Sequence, residues 1–178
     1  FDVPIFEVIT PAVELAVSSS KNFRFGVIGT RATITSGIYE KKIIGIQPAA
    51  KIYSIACPLL VPLVEEGWLN KPEAAMIVKK YLHPLKTRQI DTLILGCTHY
   101  PLLKKVIQRK TGKRVHLIDS STSVAGEIKT YLKNHAAVDN PLGKSGKLTL
   151  FVSDITDQFE KIAAMTLKTK IKFDCVKF

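Results

Sequence analysis

The run Thr92-Leu93-Ile94-Leu95-Gly96 is apolar almost without interruption. A strand with one wet face alternates apolar and polar side chains. A continuous run therefore demands cover on both faces, as in a parallel sheet sandwiched between helices. The surrounding chain has the pieces for that arrangement. Strand patterns are predicted over 23–29, 51–56, 92–96, 115–118, 147–152 and 172–176, and a strand-like run opens the chain over 3–9. Between them, helices are predicted over 32–42, from Pro72 to about His83 with Pro84 as its stop, over 101–110 with Gly112 as its end, and over 124–133. A Pro-interrupted segment covers 57–68, and Asn140-Pro141 with two glycines marks 135–146 as a loop. Asp154 is placed to cap a last helix carrying Phe159, Ile162, Ala163 and Leu167 on its apolar side. Strands and helices in alternation predict an α/β fold with mostly parallel sheets.

Composition narrows the function classes. At 178 residues, with 46% hydrophobic and 23% charged side chains, the chain has the balance of a folded protein rather than a disordered one. No apolar run approaches the roughly 20 residues that span a bilayer, so no membrane association is expected. No basic segment followed by an apolar one opens the chain. Three scattered cysteines, Cys57, Cys97 and Cys175, do not make a disulfide framework, and a cytoplasmic, reducing setting is expected. The formal net charge of +11 raises nucleic acid as a partner. The lysines are nevertheless dispersed over predicted helix faces, without an arginine-rich arm, an aromatic RNA-binding signature or zinc-finger spacing, which argues against one.

In open parallel sheets, right-handed crossovers bring the carboxyl ends of the strands to one edge, and ligands bind there. The residues that follow strands are therefore the candidates: Thr30, Cys57, Cys97 to His99, Ser120 and Ser153. Cys97 is the most suggestive. It follows the doubly covered strand and precedes a helix expected to open at Pro101, whose backbone N–H groups and dipole would favour thiolate. Gly96 leaves room for a ligand, Thr98 adds donors for a carboxylate, and His99 is two residues away. That set suits acid/base chemistry at a carbon next to a carboxylate. Equally, a lone cysteine after a strand is commonly a small core residue. Spacing alone leaves both readings open.

The string Leu95-Gly96-Cys97-Thr98-His99-Tyr100-Pro101-Leu102-Leu103 resembles the second-cysteine signature of the glutamate racemase family. Gly26-Val27-Ile28-Gly29-Thr30 with Ala32-Thr33-Ile34, Ser36 and Tyr39 is similar to an internal strand and helix of that family, and Ala56-Cys57-Pro58 with Val61 to Glu65 to the segment before the second cysteine. Val3-Pro4 with Val8 to Ala12, and Phe151-Val152-Ser153-Asp154, agree in order and spacing.

The resemblance implies cofactor-independent interconversion of L- and D-glutamate, supplying D-glutamate for peptidoglycan, with no metal. Two thiols flank the substrate α-carbon: one removes the proton and the other delivers one to the opposite face. By position, Cys97 would be the second thiol, His99 its acid/base helper and a substrate contact, and Glu65 an assisting carboxylate. Thr98, Thr30 and Thr33 would bind substrate. The family's aspartate loop and first-cysteine loop have no counterpart in these residues, and Cys57 does not match the position of the paired thiol. The resemblance also implies two pseudo-symmetric α/β domains. Residues 10–119 would form the second, and 1–9 with 120–178 an incomplete first, so the isolated chain is expected to be inactive. The plan allows a homodimer. The alternative is a non-catalytic remnant or binding module, for example towards DNA gyrase.

Overall fold

The computed structural model describes residues 3–146, 148–167 and 172–177, the side chains of Gln158 and Met165 excepted. In chain order the elements are α1 (Thr10–Ser19), β1 (Arg24–Gly29), α2 (Arg31–Thr35), α3 (Ile38–Ile46), β2 (Lys51–Ala56), α4 (Leu60–Glu65), α5 (Pro72–Thr87), β3 (Thr92–Gly96), a 3-10 turn (Tyr100–Leu103), α6 (Lys104–Thr111), β4 (His116–Asp119), α7 (Ser120–Asn134), α8 (Ala136–Asp139), β5 (Leu150–Val152), α9 (Asp157–Leu167) and β6 (Phe173–Cys175). The first four strands form one parallel sheet in the order β2-β1-β3-β4, and β5 and β6 form a separate parallel pair.

Both faces of the four-stranded sheet are covered, as the apolar run of β3 requires. Side chains alternate between two cores. Ile28, Leu93, Leu95 and Leu117 face α4, α5, the 3-10 turn and α6, where Leu60, Leu82, Leu85, Leu103 and Ile107 are buried. Phe25, Val27, Ile94 and Ile118 face α1 and α3, against Ala12, Val13, Ala16, Tyr39 and Ile43. The small residues of α1 let it lie close to the sheet. Near the C-terminus, Phe159 of α9 meets Phe173 of β6 edge-on, with ring centroids 5.1 Å apart.

Several local expectations need correction. Residues 3–9 form no strand: Val3 and Ile5 are exposed, no strand among the described residues pairs with them, and Glu7 instead turns back to accept hydrogen bonds from the Ile9 and Thr10 N–H groups. The helix over 32–42 is two helices, broken where Gly37 adopts φ 62°, a left-handed conformation natural to glycine. Pro84 does not stop α5, which runs to Thr87. Burying Leu85 favours the extra turn, and Pro84 and Lys80 are both exposed, so the carbonyl that loses its helical donor can be solvated. The segment 101–110 opens as a 3-10 turn before α6 begins. The loop over 135–146 contains the short α8, and α7 starts four residues earlier than predicted, directly at the end of β4. Thr156, not Asp154, caps α9, its hydroxyl accepting from the Phe159 N–H at 3.1 Å. The strand over 147–152 is shorter than predicted, and Lys147 lies outside the described residues.

At the amino end of the sheet, Asp91 fastens the α1–β1 connection to β3. Its carboxylate accepts from Ser20 Oγ (2.7 Å), the N–H groups of Lys21 (2.7 Å) and Asn22 (2.9 Å), and Thr92 Oγ1 (2.9 Å). Burial disfavours its charge, but the donors from Ser20, Asn22, Lys21 and Thr92 outweigh it and hold the carboxyl below its ordinary value of 3.8. A lowered native pKa contributes stability that is present above the unfolded value and lost as pH falls through the folded one. Asp91→Asn is therefore expected to cost about 1–3 kcal/mol at neutral pH. In urea denaturation the gap between the two proteins should narrow as pH drops from 7 towards 3. An equal gap at both pH values would contradict this assignment.

Candidate active site at the carboxyl edge of the sheet

The register of the sheet sets the site. Gly29 of β1 lies beside Ala56 of β2 and Gly96 of β3, so the residues that follow, Thr30, Cys57 and Cys97, leave the sheet along one edge. The Gly29–Gly96 pairing is close. A methyl group on Gly96 would meet the Ile28 carbonyl oxygen at 3.0 Å and Tyr39 Cε2 at 3.1 Å, and one on Gly29 would meet Thr33 Cγ2 at 3.0 Å. Glycine here permits the approach that brings Thr33 and Tyr39 up to the base of the cysteine loop.

Cys97 is partly exposed, with its buried side resting on the core beneath α4 and the 3-10 turn. It is not sealed in the interior. Its Sγ lies 3.9 Å from His99 Nδ1, and His99 Nε2 lies 3.5 Å from Glu65 Oε1 at the end of α4. Thiol, imidazole and carboxylate are thus in series. With the Nε2 proton directed to Glu65, Nδ1 is left as an acceptor facing the thiol. Thr98 is exposed beside them, its hydroxyl 3.5 Å from Nδ1. Thr30 and Thr33 form a second polar pair, with hydroxyls 2.9 Å apart, and Thr30 caps α2 by accepting from the Thr33 N–H. Sequence reading named all six of these residues, and the structure brings Cys97, Thr98, His99 and Glu65 into one cluster.

Cys57 is different. It is fully buried, its Sγ contacts the Ile55 carbonyl at 3.6 Å, and burial pushes its thiol up to about 12. Its backbone carbonyl accepts from the buried Tyr100 hydroxyl at 2.9 Å, which ties the start of the 3-10 turn to the end of β2. Cys175 is exposed in β6, and all three cysteines are free thiols. Among the described residues, no three His, Cys, Asp or Glu side chains are arranged to hold a metal ion.

Three residues gained importance from the structure. Tyr39 is buried against Gly96, and its phenol is raised by burial, then by the negative charges of Glu7 and Cys97. Lys42 reaches Glu7 Oε1 at 3.4 Å and Thr10 Oγ1 at 2.5 Å, joining the opening segment to α3. Asp119 ends β4 one residue beyond the predicted strand. It is buried, accepts from Ser121 Oγ at 2.6 Å and faces Lys104 at 3.5 Å. Only the exact strand end would have shown it at the edge. Facing Thr98, His99 and Leu102, the apolar side chains of β5, α9 and β6 enclose a cleft of about 370 Å³.

Fold and site together define an α/β protein that sets a thiol, an imidazole and a carboxylate at the carboxyl edge of a parallel sheet. Known proteins share this plan. The family model for Asp/Glu/Hydantoin racemase matches residues 1–128. A glutamate racemase of Persephonella marina is 43% identical over 174 residues, which are 98% of this chain and 64% of that protein. In fold, the chain resembles a glutamate racemase isoform from Bacillus anthracis (TM-score 0.88, 36% identity, covering 100% of this chain and 66% of that one). It also resembles the glutamate racemase of Francisella tularensis, solved in complex with D-glutamate (TM-score 0.85, 31% identity, 99% of this chain and 65% of that one). The chain belongs to the Asp/Glu/Hydantoin racemase family. It spans 64% of the length of the Persephonella marina relative. No helix among the described residues is long and apolar enough to cross a membrane.

Proposed function

We propose that this chain is the larger part of a cofactor-independent glutamate racemase in which Cys97 transfers a proton at the substrate α-carbon. The observation that carries this reading is the series Cys97 Sγ, His99 Nδ1, His99 Nε2, Glu65 Oε1, with separations of 3.9 and 3.5 Å, on the family's cysteine motif. As thiolate, Cys97 takes the α-proton of one enantiomer; as thiol, it delivers a proton when the reaction runs the other way. His99 holds the thiol's proton balance, and Glu65 orients the imidazole. Thr98, Thr30 and Thr33 offer hydroxyls that donate to the carboxylates of glutamate and accept from its ammonium group. The 10–119 domain carries these side chains.

Inversion through a planar intermediate needs a second proton donor on the opposite face. Burial, which also pushes its thiol up to about 12, speaks against Cys57 in that role. The 178-residue chain alone is accordingly expected not to racemise glutamate, whereas the full-length protein incorporates solvent deuterium at the α-carbon. Racemisation by the isolated chain that is lost in Cys97→Ala, or a full-length protein with an intact site and no deuterium incorporation, would refute the reading.

A further inference from the structure

From residue 92 to residue 118 the sequence contains no aspartate or glutamate, yet Lys104, Lys105, Arg109, Lys110, Lys113 and Arg114 fall within it. The fold gathers several of these along the open edge of β4, the last strand of the four-stranded sheet. There Lys21, Lys104, Lys113, Arg114, Gln108 and His116 line a cleft of about 700 Å³. That volume lies within the ~300–1,000 Å³ typical of small-molecule sites.

Three features make this more than a solvated lysine face. First, the charge is scarcely neutralised. Asp91 also lines the cleft as a carboxylate, one negative charge against the four cations Lys21, Lys104, Lys113 and Arg114, and its oxygens are held by Ser20 Oγ, the Lys21 and Asn22 N–H groups and Thr92 Oγ1. Lys104 faces Asp119, while among the described residues Lys21, Lys113 and Arg114 form no ion pair with a carboxylate. Second, the wall is braced. Gln108 Nε2 donates to the carbonyls of Gly112 (2.9 Å) and Val115 (3.0 Å), fixing the turn that presents Lys113 and Arg114. Third, the backbone supplies a donor. The His116 N–H points inward to the Asp91 carbonyl at 2.7 Å, so by the alternation of a strand the Leu117 N–H points outward from the sheet edge, and Leu117 is one of the residues lining the cleft.

We infer that this cleft binds a small, multiply charged phosphate anion, held by Lys21, Lys113, Arg114 and the Leu117 N–H. Arginine and lysine around a backbone donor are the complement of phosphate oxygens. The inference is independent of the racemase reading. It uses none of the residues assigned to that site.

Titration of the full chain with sodium tripolyphosphate by isothermal calorimetry at about 0.15 M ionic strength, where the Debye length is about 8 Å, tests it. Saturable binding at one site is expected, weakened at least about tenfold in K113E/R114E and in the milder K113Q/R114Q. The control K79E/K80E, on exposed lysines of α5 that do not line the cleft, should change it by less than about twofold, because at that ionic strength screening damps charges outside the site. Unchanged thermal melting confirms that the variants fold. No saturable binding overturns the inference. So does an equal loss in the control, which would mean that net charge alone attracts the anion. Tighter binding of a single-stranded oligonucleotide than of tripolyphosphate, with a steep salt dependence, would make the surface one for nucleic acid instead.

Discussion

In the full-length protein, Cys97→Ala is expected to lower kcat/KM for glutamate racemisation at least about 10³-fold in both directions. The size of the effect follows from the chemistry. An α-proton beside a carboxylate is weakly acidic, and the reaction needs a base on one face and an acid on the other. Removing one of two opposed groups stops inversion whichever enantiomer is supplied. Proton exchange without inversion should survive for the single enantiomer whose α-proton faces the remaining group. Monitoring both enantiomers by NMR in deuterium oxide separates these outcomes. A structural role for Cys97 would instead depress racemisation and exchange together for both enantiomers, along with thermal stability. Racemisation within about tenfold of wild type would remove Cys97 from the chemistry.

The second large effect is in thiol reactivity. In the folded chain, iodoacetamide is expected to label Cys97 and Cys175 readily and to leave Cys57 unmodified until the protein unfolds. Cys57 is wholly buried, and its thiol is pushed from an ordinary 9.0 up to about 12, so its thiolate population at neutral pH falls by about 10³-fold before access is considered. Cys97 is partly exposed at the sheet edge and Cys175 is exposed in β6. Peptide mapping by mass spectrometry after timed labelling, with and without guanidinium, reads the three sites separately. Labelling of Cys57 at the rate of Cys97 under native conditions would mean that the end of β2 is open, and would reinstate Cys57 as a candidate for the opposed thiol. Prior incubation with D- or L-glutamate bears on the site only in the full-length protein.

These two results address the same division. Cys57 and Cys97 both follow strands and both leave the sheet at the same edge. Their neighbours in sequence do not show why one is inert and the other approachable. That is set by packing: Cys57 is buried in the core that holds Leu60 and Leu63, its carbonyl bound by the Tyr100 hydroxyl, whereas Cys97 packs against that core from one side and stays partly exposed.

By itself, the sequence determined the class of fold and the identity of the cysteine loop. A run as apolar as 92–96 can exist in water only when covered on both sides, which forces helices onto both faces of a parallel sheet and carries Cys97 to the edge. What only the tertiary structure decided are relations between residues distant in the chain. His99 meets Glu65 across 34 positions, Asp91 draws the α1–β1 connection onto β3, and Lys104 of α6 with Lys113 and Arg114 of the following turn lines an open strand edge with Lys21. Local errors have the same origin. Pro84 reads as a stop because propensity is local, but the free energy of burying Leu85 is not. The segment 3–9 reads as a strand because its side chains suit one, but a strand also needs a neighbour to receive its hydrogen bonds. Periodicity reports which side chains seek cover; which partners provide it is a property of the folded chain.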